Sequence, residues 1–528
     1  SFLQGTISGL HESQVPAIRI GAARATFGFC DQLKSSGNSA LINIYLPDAL
    51  NSLINMSTQY REDALSLILE TLSIVISMNK ELTASCEEKI SPLVVALFLK
   101  HGNDPQLSPI IESLFKELAY NEACLPLLQQ RFLPTLISLL EAAQEKAPVG
   151  IRAVALDILC HIIRGSPQML SDALINNVFP SLVAFILRSD DNAILQSGGE
   201  CIRAFVSKGS EQLANWHDSS SNSGIAYVVK VISHLLHPNI SEYAAVFVGK
   251  LIIILVKKVG HNLGDKLDVM LRETLSKLHK SDTLTVIQSL MMVFINLIYY
   301  QLQDTLNFLS NVPDPSGKSA LDFVVNIWCT RQQEFYGTYD CKVRILSMCK
   351  LLEHTINNGD RRLSDIIVKG ERRVEHETSA GIRTRSKAAK QPEQWTQIQA
   401  PLKFYKLIVD ELSNLCQNHD DVEEGSDEDD EDWENEEDMS AGGAMKNLLG
   451  SAFAPAGDFP GFDSLFDFPI DEVEDDPDIL EDPINSMDIQ NYLLEFLRAF
   501  SGHPSFPSYN GELNSHEKQT LKTAGIIQ

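Results

Sequence analysis

Three short constellations among the 528 residues carry side chains that do chemistry in other settings. Pro313–Ala320 (PDPSGKSA) contains the Gly-Lys-Ser that ends a phosphate loop, in which backbone N–H groups and a lysine hold nucleotide phosphates. That loop needs another glycine five residues before Gly317 and a strand leading into it. Position 312 is valine and no strand pattern precedes, so the segment reads as a turn capping a helix over 321–328. Trp216-His217-Asp218 sets an imidazole beside a carboxylate, as a general base requires, but it lies in a polar loop and reads as a local hydrogen-bonded turn. Cys416-x-x-His419 has zinc-ligand spacing without the second ligand pair that a closed site needs. GxSxG, GxGxxG and HExxH do not occur. The expectation is a protein with no catalysis, no cofactor and no metal. The nine cysteines form no CxxC pair and sit mostly in apolar stretches, as free thiols of a reducing compartment do.

What remains is electrostatic. The net charge is −27, but 14 of the 19 residues from Asp420 to Asp438 and 11 of the 25 from Asp458 to Asp482 are acidic. Neither tract holds a Lys or Arg, and without these 25 acids the chain has 43 basic against 45 acidic residues. A near-neutral body carrying an acidic insert does not suit a nucleic acid, which would want a basic surface. One reading of the insert is a solubilising loop. The sharper one is a flexible anionic arm for a basic partner, because Trp433 and Phe453, Phe459, Phe462, Phe466 and Phe468 have no solvating purpose and suit contact. The candidate contact residues are Asp427, Glu428, Asp429, Asp430, Glu431, Asp432, Trp433, Glu434, Glu436, Glu437, Asp438, Asp475 and Asp476. Upstream, Arg383, Arg385, Lys387 and Lys390 (IRTRSKAAK) form a basic loop open to several readings: a nuclear localisation signal, a phosphate patch, a self-ligand for the acidic segment, or a solvated loop.

The elements that must position these segments are helices. Ala64, Leu65, Leu67, Ile68, Leu72, Val75 and Ile76 make an apolar stripe at helical spacing, and similar runs recur to Ile298. No alternating strand run bounded by hairpin turns is evident, and no stretch has the ~18 apolar residues of a membrane span. Pro47, Pro92, Pro134 and Pro180 each fall early in an apolar run, where proline fits the first helical turn. Polar turn markers at Glu62, Pro105, Pro148 and Asp191 recur every 43 residues. Two helices in that period match a HEAT or armadillo unit, and such pairs bury their apolar faces only by stacking. The fold class expected is all-α, an α-solenoid of about nine HEAT-type pairs over 1–416, with the basic loop inserted at 371–398. A largely disordered acidic loop over 417–485 and a helical cap over 486–528 complete the chain. Gly198-Gly199 inside a helix costs about 1 kcal/mol per glycine relative to alanine and points to close helix approach.

Seven collinear stretches resemble the C-terminal half of an importin-β-type karyopherin: FKELAYNEAC (Phe115–Cys124), DDNAILQSGGECIRAFV (Asp190–Val206), FVGKLIIILVKKVGHNLG (Phe247–Gly264), QSLMMVF (Gln288–Phe294), EFYGTYDCKV (Glu334–Val343), GIRTRSKAAKQPEQWT (Gly381–Thr396) and DDPDILEDPINSMDIQNYL (Asp475–Leu493). The likeness is greatest to the histone-carrying branch of that family. It implies a nuclear import receptor shuttling between cytoplasm and nucleus, with Phe-Gly nucleoporins as partners. The cargo it implies is core histones (the outer histone dimer of the nucleosome), ribosomal proteins and actin, with histones shielded from DNA. Ran GTPase would engage mainly the N-terminal arch, which precedes this segment in the family; Ser1 in place of Met also points to a piece of a longer chain. The resemblance places the acidic loop in a late repeat and matches Arg383–Lys390 to the loop before it. A HEAT scaffold, or an acidic histone chaperone without transport, is the alternative reading. An elongated solenoid should show a scattering radius of gyration well above the ~24 Å of a compact globule of this length; a value near it contradicts the repeat reading.

Overall fold

The structure, a computed structural model, describes residues 2–143, 147–372, 395–423 and 476–528. The chain forms two compact units, Ser1–Phe294 and Ile295–Gln528.

Unit one is built from helical pairs. After α1 (Phe2–Gly9) and α2 (Pro16–Ser35) come α3 (Leu46–Gln59), α4 (Glu62–Met78), the short α5 (Lys80–Ser85), α6 (Glu87–His101), α7 (Ser108–Ala119), α8 (Leu125–Glu141) and α9 (Val149–Gly165). Next follow α10 (Phe179–Leu187), α11 (Asn192–Asn215), α12 (Gly224–Leu235), α13 (Val248–Val259) and α14 (Asp265–Lys280), while α15 (Leu284–Tyr300) begins in unit one and ends beyond Phe294. Each of α2, α4, α7, α9, α11 and α13 packs on the next in that series, and α3, α6, α8, α10, α12 and α14 make a second layer in the same way. The layers are joined by the pairs α3/α4, α6/α7, α8/α9, α10/α11 and α12/α13. The apolar period dictates this. In α4 the stripe Leu65, Ile68, Leu69, Leu72, Val75 and Ile76 is buried, and each such side chain contributes about 1.5–3 kcal/mol when fully buried. Phe98, Phe115 and Phe132, from α6, α7 and α8, meet with ring centroids 4.8–6.2 Å apart.

The prolines correct one expectation. Pro47 and Pro180 do lie in first turns, but Pro92 and Pro134 sit inside α6 and α8. Both are exposed, and the carbonyls they deprive of an N–H partner belong to Glu88 and Gln130, which are also exposed to solvent.

Unit two holds α16 (Leu302–Asn311), α17 (Ala320–Arg331), α18 (Thr338–Asn358), α19 (Arg361–Ser364), strands β1 (Ile367–Arg372) and β2 (Trp395–Gln399), and α20 (Ala400–Glu423). The chain is described again from Asp476, with α21 (Pro477–Leu480), α22 (Ile489–Ser501), α23 (Phe506–Gly511) and α24 (Ser515–Thr523). The antiparallel hairpin is a correction, since the sequence shows no strand pattern. Gly370 and the charged Lys369 and Glu371 hide the alternation of β1, and the partner strand lies too far along the chain for a turn signal. The boundaries move accordingly. Residues 371–372 and 395–398, expected within the basic insertion, are strand, and within the stretch expected as the acidic loop, 417 to 485, helix α20 runs to Glu423 and α21 covers Pro477–Leu480.

Close approach in unit one is fixed at Gly249 of α13, where a Cβ would run into the Ser289 carbonyl and whose N–H donates to Ser289 Oγ at 3.1 Å. At Gly198 a Cβ would press on the Ile186 side chain at 2.7 Å, whereas at Gly199 it would meet only Leu235 at 3.5 Å. Close approach therefore accounts for Gly198 and not for Gly199. Chemical denaturation should show Gly249→Ala destabilised by about 1–3 kcal/mol, and Gly199→Ala stabilised by up to about 1 kcal/mol through helix propensity.

Candidate functional site

The charged stretches leave and re-enter the fold through unit two, and the site that can be built from described residues is the frame at their roots. The hairpin closes the basic stretch. Val368 pairs with Ile398 and Lys369 with Gln397, and then the register slips so that Arg372 pairs with Trp395. At this bulge Thr396 Oγ1 accepts from the Glu371 N–H at 2.8 Å and donates to the Glu371 carbonyl at 3.2 Å. Gly370 is required there because a Cβ would strike Thr396. Bulges re-aim side chains, and this one carries Glu371 toward α20.

On α20, Lys406 lies among buried Phe404, Tyr405, Leu407, Ile408 and Val409. Its Nζ donates to Glu371 Oε1 at 3.0 Å and to Glu517 Oε2 and Oε1 at 2.9 and 3.2 Å. Burial pulls the ammonium's pKa down, but the hydrogen bonds and charges of Glu517 and Glu371 outweigh it and hold it above its ordinary value. Lys406 in turn holds the Glu371 carboxyl below its ordinary range. Asp410, one turn on, is pushed up to about 6 by burial and by Glu517, against the pull of Lys403, Lys406 and His516.

The returning end of the acidic stretch is latched separately. Asp482 Oδ2 accepts from Tyr339 Oη at 3.0 Å and Tyr300 Oη at 3.3 Å, while Lys342 Nζ donates to the Asn485 carbonyl at 2.5 Å. Burial, then the charge and hydrogen bond of Asp482, keep the Tyr339 phenol protonated far above its ordinary range. Asp476 is buried and caps α21, accepting from the Asp478 N–H at 3.1 Å.

Of the candidate contact residues only Asp476 is described, and its carboxylate serves that cap. Asp427, Glu428, Asp429, Asp430, Glu431, Asp432, Trp433, Glu434, Glu436, Glu437, Asp438 and Asp475 lie outside the described residues, as do Arg383, Arg385, Lys387 and Lys390. The sequence signal for Lys406 was available, as a lysine flanked on both sides by apolar residues that all turn inward. Nothing comparable marks Asp482 or Glu517, which lie among other acids and polar residues.

The motifs with chemical potential are turns, and they share one design. The Asp218 N–H donates to the Asn222 carbonyl at 3.0 Å and the Asp314 N–H to the Lys318 carbonyl at 2.8 Å. Positive φ falls at Ser221 and Gly317, and Ser223 and Ser319 cap α12 and α17. Asp218 accepts from Tyr227 Oη at 2.6 Å, whereas His217 uses Nδ1 on the Asn215 carbonyl, so no base pair forms. Cys416 Sγ lies 3.7 Å from Gln490 Nε2, and no cluster of metal-ligating side chains occurs among the described residues. Burial pushes the Cys30 and Cys124 thiols up to about 11 and Cys329 to about 12, which leaves them unreactive. No helix among the described residues is long and apolar enough to cross a membrane.

A family profile described as importin-11-like, TPR repeats, matches residues 123–369. The chain is 31% identical to Importin-9 of Drosophila melanogaster over 98% of its own length and 49% of that protein's. It is 25% identical to Importin subunit beta-5 of Schizosaccharomyces pombe, over 80% of this chain and 41% of that one. The solved structure of the exportin Cse1 in its cargo-free, cytoplasmic state superposes with a TM-score of 0.56 at 12% identity, covering 100% of this chain and 46% of the exportin, and supports the helical-repeat fold. These relatives are importins, and the chain spans about half the length of the curated relatives it matches.

The frame predicts a pH dependence. Because the Asp410 carboxyl is raised to about 6, the folded state binds that proton more tightly than the unfolded chain. This stability is fully present below about pH 4 and is lost as pH rises through about 6. Asp410→Asn should therefore stabilise α20 by about 1–3 kcal/mol at pH 7.5 and by little at pH 4. Hydrogen exchange of α20 amides, variant against parent at each pH, checks this.

Proposed function

We propose that this chain is the C-terminal half of a nuclear transport receptor that binds basic cargo non-covalently and shuttles between cytoplasm and nucleus. The carrying observation is the 31% identity to Importin-9 along 98% of the chain, joined to a charge pattern in which a near-neutral body bears one anionic segment. On this reading core histones, including the outer histone dimer, together with ribosomal proteins and actin are cargo. Phe-Gly nucleoporins bind the repeats, and Ran GTPase acts chiefly through the half that precedes this one in the relatives. The segment from Asp427 to Asp475 attracts Lys- and Arg-rich surfaces and competes with DNA phosphate for them. Arg383, Arg385, Lys387 and Lys390 dock on acidic surface when cargo is absent. The rival reading, a repeat scaffold or a histone chaperone without transport, differs in binding: a scaffold captures neither core histones nor Phe-Gly peptides, and a chaperone captures histones alone.

Solvated charges on a tether act over distance and are screened within ~8 Å at physiological salt, so they govern encounter more than lifetime. The right deletion spares residues 476–485, because Asp476 and Asp482 hold the fold together. Replacing residues 424–475 with an uncharged Gly/Ser linker of equal length should slow association with core histones, flatten its salt dependence and let DNA compete, with dissociation little changed. Stopped-flow kinetics at two salt concentrations and a DNA-competition assay measure this. Unchanged association rate, salt slope and DNA competition together would reduce the segment to a solubility device.

A further inference from the structure

We propose that the last helix, α24, is a clasp on the β1–β2 hairpin, so that the closure of the hairpin and the docking of the C-terminal cap are thermodynamically coupled.

The cap residue of α24 faces two ways. Asn514 Oδ1 accepts from the Glu517 N–H at 2.9 Å, as an N-cap must, while its Nδ2 donates to Glu371 Oε1 at 3.2 Å across to the hairpin. Glu517 completes the capping box, its Oε2 accepting from the Asn514 N–H at 2.7 Å, and the same carboxylate holds Lys406. Glu371 and Glu517 thus bracket one buried ammonium, and the side chain of Lys406 is 7% exposed, that of Glu517 5% and that of Glu371 56%. A buried cation that loses a partner carries a large desolvation cost, so the two carboxylates are not independent. Displacing either element leaves Lys406 undercompensated and weakens the hold on the other. The bulge at Gly370 and Thr396 supplies the aim, and the packing of Tyr405 on Phe500, Phe506 and Tyr509 brings the cap alongside. Coupling of this kind is reciprocal. A partner that grips the stretch leaving the hairpin would tighten α24, and one that peels α24 away would free the root of that stretch.

Hydrogen exchange on the full 528-residue chain tests this. Glu517→Gln keeps a capping-box residue and removes the charge; Asn514→Ser keeps a good N-cap and removes only the donor that reaches Glu371. In both, amides of 367–372 and 395–399 should exchange faster, by about tenfold for Glu517→Gln, the scale of one lost charge-assisted hydrogen bond. Protection in α17 and α18 should stay as it is. Glu371→Gln should accelerate exchange in α24 by a matching factor, a reciprocity that a merely local role for Glu517 does not produce. Unchanged hairpin exchange in both cap variants overturns the proposal. Equal acceleration throughout residues 295–528 also overturns it, because that is general destabilisation rather than a clasp.

Discussion

A helical pair with one apolar face has nowhere to put that face except against the next pair, and the first unit depends on this. Its layers are held by repetition: α4 packs on α7, α7 on α9 and α9 on α11, each contact the same problem solved again. Polar cross-links follow the same interval. Lys34 donates to Ser77, Lys80 to the Tyr120 carbonyl, and Ser233 to Glu273, each reaching the equivalent place one repeat on. These bonds add register to a packing that burial alone would leave free to slide.

Unit two solves a different problem, because it must close a hairpin, receive a returning chain and end. Apolar stacking cannot specify those junctions, and polar groups partnered across the fold do. Lys406, buried between two carboxylates, is costly unless fully partnered, which makes its geometry selective, and the half-buried Asp482 is held between two phenols. The same groups need not add net stability to serve this purpose. Their partners come from distant parts of the sequence, Glu371 and Glu517 for one and Tyr300 and Tyr339 for the other.

That distance explains why some features are legible in the sequence and others are hidden. Periodicity is local, so the apolar stripe of α4 and the recurrence of polar turns announce a helical repeat by themselves. The turn at Pro313–Ala320 is local too, and the fold contains the helix-capping turn that its spacing predicts. Proline position is a weaker guide, because Pro92 and Pro134 lie inside helices at exposed positions rather than in first turns. The hairpin is hidden because its two strands are short and separated by the basic stretch, and the frame is hidden because ion pairs across a fold leave no spacing to find. Only Lys406, a charge inside an apolar run, advertises itself.

The frame also changes how the anionic segment should be counted. By composition the acids run on to Asp482, and every one of them looks equally available to a basic partner. In the fold Asp476 caps α21 and Asp482 is held by Tyr339 and Tyr300, so neither is a solvated charge on a tether. Attraction at long range belongs to charges that keep their water, whereas a carboxylate committed to hydrogen bonds within the fold spends part of its field on its own donors. The acids therefore divide by environment rather than by sequence: outward attraction, on the proposed reading, falls to those that precede Asp476, and those at the return point hold the chain to the fold. A charged segment with an anchored root projects its field from a defined place, and local concentration of charge near a surface depends on where the root is fixed as much as on how many carboxylates follow it.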